Sequence, residues 1–249
     1  MNIINEKKRV NHIKQYGPTC GIYCLTMIIQ TLYPIFEGER KGQELAAKLH
    51  SIALKNEFSK IGEFFQVSNF TNFISQVNKE IHNVSLKAEI ISFENQKDLQ
   101  TQLKLHLKES NSYIIYPALS LKHRRAYLKQ LQHIAHWYIL DNIEGNIVTG
   151  INSCYLKTHS KLKITSNYLY KLNKKLNYIF DWKKYYSKNW NPFNFTKFRR
   201  KKAKNKTVTI LNNIDSAVIK QKKLLKTNRI EQMIKYDLSY KMIVIRKQD

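Results

Sequence analysis

Residues 15–29 read QYGPTCGIYCLTMII, and the fold of the chain turns on this stretch. Pro18 fixes its own φ and disfavours helix at Gly17, so the chain turns through Tyr16-Gly17-Pro18-Thr19 and enters a helix at or beside Cys20. Ile22, Leu25, Met27, Ile28 and Ile29 follow, enough apolar surface to bury most of that helix. Cys20 then sits at the helix head. Unsatisfied backbone N–H groups and the positive end of the dipole favour a thiolate there, the reactive form of cysteine. Gly21 leaves room beside the sulfur. Two readings of Cys20 stand side by side: a nucleophile carried on a rigid element, or a small core residue opening an apolar helix.

A partner for the first reading lies in IAHWYILDNIEGNIVTGINS, Ile134 to Ser153. Trp137 to Leu140 is strand-like, Asp141 to Asn146 carries turn chemistry with Gly145, and Ile147 to Ile151 is a second strand. His136 begins one strand and Asn152 ends the other, which makes them neighbours in an antiparallel hairpin. The set is then Cys, His, Asn. The imidazole takes the thiol proton and later returns it to a leaving group, while the Asn oxygen fixes the ring tautomer. Asp141 competes as third member from the opposite end of the strand and ranks second. His123 and His133 rival His136 but lack its place at a strand start.

QYGPTCG before an apolar helix, and much later AHWYIL with a turn and a polar residue closing the next strand, resembles the papain-like cysteine peptidases. The nearer likeness is to the branch holding the bacteriocin-leader peptidases and the actin maturation protease. It covers two blocks, Gln15 to Ile29 and Ile134 to Ser153. The resemblance implies an α+β papain-like fold in which an N-terminal helical half carries the Cys and an antiparallel sheet carries the His and Asn. By the same likeness Gln15 is the oxyanion donor, Cys20 the nucleophile, His136 the base and Asn152 the orienting residue. Gln15 stands one residue nearer the Cys than in papain, and Asn152-Ser153 replaces the Asp-Pro usual in leader peptidases. The implied activity is cleavage of an amide bond in a protein or peptide substrate through an acyl-enzyme. Glutamine deamidation and acyl transfer use the same constellation.

The chain has 249 residues, 43% of them hydrophobic, sufficient for one substantial core. Three cysteines argue against a disulfide framework and for a reducing setting. Cys24 and Cys154 have no metal-ligand company, so neither a metal site nor a cofactor is expected. The first residues, MNIINEKKRVNHIK, lack the apolar segment of a secretory signal, and no run is long enough to span a membrane. The expected location is cytoplasmic, or a host cell reached by a signal-independent route, as for a bacterial effector acting on a host protein. Lys and Arg number 43 against 18 Asp and Glu, a net charge of +25. Such an excess attracts polyanions, with anionic membrane a candidate partner and nucleic acid a weaker one. Codon bias in an AT-rich genome produces the same Lys, Asn, Ile and Tyr enrichment. The sequence leaves the oligomeric state open.

Elsewhere, GQELAAKLHSIALKNEF has helical spacing, and IGEFFQVSNFTNFISQVNKEI resumes as a second helical element whose aromatics are read as core. LKAEIISF reads as a strand, DLQTQLKLHLKES as a helix, and SYIIYPALSL as a strand ended by Pro117. After Ser153 cations interleave with aromatics over Lys157 to Lys206, a low-specificity signature of a nucleic-acid or membrane surface that would serve a non-catalytic binding protein. Within it ITSNYLYKLNKKLNYI can pack on a sheet, and FRRKKAKNK, 198–206, is an exposed charge run. TVTILNN alternates as a strand, IDSAVIKQKKLLKTNRIEQMIKYDL is helical, and SYKMIVIRK closes as a strand. The expected organisation is one domain over 1–249, with 157–249 a basic, aromatic-rich elaboration completing the sheet.

Overall fold

A computed structural model describes residues 7–16, 19–119, 135–153, 161–177, 179–181, 208–227 and 233–248. Helix α1, Cys20–Leu32, is buried from Cys20 to Gln30. An element hydrophobic all round must lie inside, and burying each Ile or Leu stabilises by roughly 1.5–3 kcal/mol. Two amphipathic helices lie beside it: α2, Glu39–Lys55, and α3, Val67–Glu80. The aromatics of the second segment are core: Phe64, Phe70 and Phe73 are fully buried, with Phe64 and Phe70 stacked at 4.3 Å.

Strand β1, Leu86–Ser92, helix α4, Gln96–Leu107, and strand β2, Ser112–Leu119, follow as expected. Then come β3, Ala135–Glu144, β4, Ile147–Asn152, β5, Lys161–Thr165, and α5, Ser166–Lys174. A short β6, Ile179–Asp181, precedes α6, Val208–Lys226, β7, Met233–Lys235, and β8, Lys241–Lys247. The main sheet has the order β1-β8-β2-β3-β4-β5, antiparallel at each pairing, and β6 pairs with β7 separately. The last strand thus inserts between β1 and β2, deep in the sheet. Neighbouring residues of a strand face opposite sides. Trp137 meets Phe70 of α3 edge-on at 4.9 Å, while Tyr116, the register partner of Tyr138, reaches the Leu169 carbonyl of α5 on the other side. Helices therefore cover both faces, and the architecture is α+β.

Four local expectations are corrected. IDSAVIKQKKLLKTNRIEQMIKYDL is helical only as far as Lys226, and Met233–Lys235 within it is strand β7, paired with β6. From Val208 the segment read as the strand TVTILNN opens α6 instead: Ile210, Ile214, Ala217, Val218 and Gln221 are buried at helical spacing, so the alternation of its first few residues is overridden by the longer period. Pro117 does not end β2, which runs on to Leu119. Its missing N–H costs nothing because Pro117 pairs with Trp137 and its carbonyl accepts from Asn173 Nδ2 of α5 at 2.8 Å. The hairpin turn is only Gly145-Asn146, with Asp141 inside β3 beside a bulge between Leu140 and Asn142. Gly145 at φ +59° makes so tight a turn. ITSNYLYKL does pack on the sheet, through the buried Leu169 and Leu172 of α5.

Candidate active site

Cys20 is the first residue of α1. The preceding Thr19 does not cap the helix with its side chain: its hydroxyl donates to the Tyr16 carbonyl at 2.6 Å, while its own carbonyl accepts from Tyr23 N–H at 3.0 Å. The first-turn amides are thus not taken up by the N-cap hydroxyl. The sulfur is buried, and desolvation pushes the thiol up to about 12; the backbone amides of Trp137, Gly21 and Cys20 itself pull the other way, and the Glu63 charge adds to the rise. This runs against the preference of a helix head for a thiolate. The helix terminus acts in the expected direction, but removal of the sulfur from water outweighs it. Cys24, one turn on, is also held well above its ordinary range, by burial first and then by the charge on Cys20, against a hydrogen bond from Ser153.

Helix α1 reaches β3 because of how the sheet ends there. Pro117 and Trp137 form a non-hydrogen-bonded pair of the antiparallel ladder, so the Trp137 amide and carbonyl are directed towards the β4 side. On that side the ladder stops at the pair Tyr138 with Asn152, and Ser153 leaves it. The first turns of α1 occupy the space. Cys24 Sγ donates to the Trp137 carbonyl at 3.3 Å, and the Trp137 amide acts on the Cys20 thiol. Fully buried Ser153 donates to Gln15 Oε1 at 2.7 Å and lies 3.5 Å from the Cys20 carbonyl. Gln15 from the N-terminal segment, Cys20 from α1 and Ser153 from the end of β4 are joined through one hydroxyl.

His136 immediately precedes Trp137, and its ring meets that of Tyr138 at 4.8 Å. Asn152 is the register partner of Tyr138, so His136, Tyr138 and Asn152 share one face, with Asn152 diagonal to His136. The expected hairpin forms. Asp141 is five residues further along β3, about 17 Å of extended chain from His136, and accepts from Thr149 Oγ1 at 2.9 Å. Gly17, Pro18, His123, His133, Cys154, the run 198–206 and most of Lys157 to Lys206 lie outside the described residues.

Sequence reasoning did not single out Ser153 or Glu63. For Ser153 the available signal was a small polar residue directly after the candidate Asn. Its partner Gln15 is 138 positions away, so only strand pairing reveals the contact. Among the described residues no group of three His, Cys, Asp or Glu is arranged to hold a metal, and no helix is long and apolar enough to cross a membrane.

Comparison with curated proteins gives no match. A family model does match: that of the actin maturation protease-like C-terminal domain, over residues 10–141, just over half of the chain. The matched span holds Gln15 and Cys20 at its start and His136 in β3 near its end. By this match over more than half of its length, the chain belongs to the actin maturation protease-like family.

Proposed function

We propose that the protein is a cysteine peptidase that cleaves an amide bond in a protein or peptide substrate, with Cys20 as nucleophile, His136 as base, Asn152 as orienting residue and Gln15 as oxyanion donor. The observation that carries this reading is the hydrogen bond from Ser153 to Gln15 Oε1. An amide whose oxygen is tied down presents its NH2 in the opposite direction, and Gln15 is linked through the same hydroxyl to the residue bearing the thiol. Family membership points to the same class of chemistry.

The thiol is neutral at rest because it is desolvated. His136 removes its proton as the sulfur attacks the substrate carbonyl, so charge separation arises with substrate in place instead of beforehand. The carbonyl oxygen, now an oxyanion, is met by the Cys20 backbone N–H and the Gln15 side-chain amide, donors fixed before the reaction. Collapse of the tetrahedral intermediate breaks the C–N bond, and the imidazolium gives its proton to the departing amine. Water, deprotonated by His136, attacks the thioester; the acid product leaves and Cys20 recovers its proton.

The test is hydrolysis of a mixture of proteome-derived peptides, read by mass spectrometry. Cys20→Ala removes cleavage by at least about a thousandfold, as loss of a nucleophile does. Cys24→Ala keeps most of it. Full activity in Cys20→Ala overturns the reading. A product one mass unit heavier with an unbroken backbone, or one carrying an added amine, assigns deamidation or acyl transfer instead.

A further inference from the structure

Strand β1 is an edge of the main sheet and, among the described residues, pairs only with β8. Gln248 N–H donates to the Ser85 carbonyl at 2.9 Å and Phe93 N–H to the Tyr240 carbonyl at 3.0 Å, both in the register of that pairing. The backbone groups of the odd-numbered residues of β1 therefore point to β8 and those of the even-numbered ones point outward. Side chains close both ends of the outward row. Asn78 of α3 accepts from Leu86 N–H at 3.0 Å and donates to the Leu86 carbonyl at 2.7 Å, and Asp98 of α4 accepts from Glu94 N–H at 3.0 Å. Between these caps the outward N–H and C=O groups of Ala88, Ile90 and Ser92 have no partner among the described residues. The open window is thus centred on Ile90, whose side chain is 37% exposed.

An open strand edge is a template for another strand, and proteins blunt such edges with Lys, Pro or a bulge. None of these guards the window. Ala88 to Ser92 reads AEIIS in a chain with 43 Lys and Arg, and the register with β8 is unbroken from Leu86 to Ser92. Its one charge, Glu89, accepts from Arg246 Nη1 of β8 at 3.3 Å, so the edge presents no unmatched charge. We propose that β1 is a self-association edge at which two copies of this chain pair antiparallel about a two-fold axis at Ile90, joining their main sheets. Ala88 then stands opposite Ser92 of the partner subunit and Ile90 opposite Ile90 of the partner subunit. Three hydrogen-bonded pairs form, about six backbone bonds. The contact is isologous, and its length is set by the caps: a register centred elsewhere spends part of the pairing on Leu86 or Glu94, whose outward groups are already bonded. Facing each other across the axis, the two Ile90 side chains leave water. Lys87 lies outside the paired stretch. The inference is independent of the reading of Cys20.

The experiment is sedimentation equilibrium of the full chain from about 5 to about 500 µM at low and high salt; so short a pairing makes a weak dimer that fills in the upper part of this range. The expected result is reversible association towards twice the chain mass. It strengthens with salt, which screens the repulsion between two chains of net charge +25. Ile90→Pro removes an N–H that points away from β8, so the β1–β8 ladder stays whole while association weakens at least about tenfold. Ile90→Lys, which puts a charge at the axis, does the same and serves if circular dichroism shows that the proline variant does not fold. The register is read separately by mild oxidation. Ile90→Cys gives a covalent dimer absent from the unaltered chain, because residues opposite each other at the axis lie about 5.5 Å apart between Cα atoms, and Lys87→Cys does not. A monomer at every concentration and salt overturns the inference. So does association that weakens with salt, which marks a bridging polyanion, or a dimer that neither substitution of Ile90 disturbs and Ile90→Cys does not trap.

Discussion

Ser153 is one hydroxyl touching two of the residues that the proposed chemistry needs, Gln15 through its Oε1 and Cys20 through its carbonyl. Ser153→Ala frees the Gln15 amide to rotate. Steady-state kinetics on a cleaved peptide then give a kcat lower by roughly tenfold with KM nearly unchanged, the pattern of a lost transition-state contact. His50 supplies a prediction of another kind. It is fully buried, its Nδ1 has no hydrogen-bond partner among the described residues, and burial lowers it to about 4 from 6.5. The unfolded chain takes up this proton at the ordinary pH and the folded chain only near pH 4, so stability present above pH 6.5 is lost as pH falls towards 4. The loss attributable to this residue is about 3 kcal/mol. Urea midpoints measured across that window show it, and His50→Gln flattens the same limb.

The hairpin β3–β4 is the element that sets the site, and its register depends on Gly150. A Cβ there would lie 2.0 Å from the Ile139 carbonyl, next to the bulge between Leu140 and Asn142. Gly150→Ala must push the strands apart at a backbone contact that no rotamer can relieve, at a cost of about 3 kcal/mol in chemical denaturation. The displacement is passed along β4 to Asn152 and Ser153, so cleavage activity falls even at temperatures where the variant remains folded. Helix α1 is the complementary element. Its apolar sequence from Ile22 to Ile29 is buried on every side, which anchors Cys20 against β3 without help from an N-cap side chain.

Across the whole molecule, β8 lies between β1 and β2, so residues near the end of the described chain complete a sheet begun at residue 86. The net charge of +25 acts at this scale too. If the charge supports binding to a DNA duplex or to anionic vesicles, that binding weakens about a thousandfold between about 50 and 200 mM salt, because counterion release drives it. Hydrolysis of an uncharged peptide changes little over the same range, since the groups beside Cys20 are buried and weakly screened. Parallel titrations of binding and turnover check the pair of outcomes; equal salt sensitivity in both would show that the surface field governs catalysis as well.

Local stereochemistry wrote several features directly into the sequence. The apolar run put a helix start at Cys20, turn chemistry at Gly145 marked the hairpin of β3 and β4, and alternation marked β1. Those signals are short-range, which is also why TVTILNN misled: five residues of alternation fit a strand, whereas burial of Ile210, Ile214, Ala217 and Val218 follows the helix period. Tertiary structure alone decided what surrounds the sulfur. The desolvation that holds Cys20 as a thiol and the Ser153 bond to Gln15 both depend on segments far apart in the chain. A helix head has an intrinsic preference for negative charge, but how much water reaches it is fixed only when the sheet closes over it.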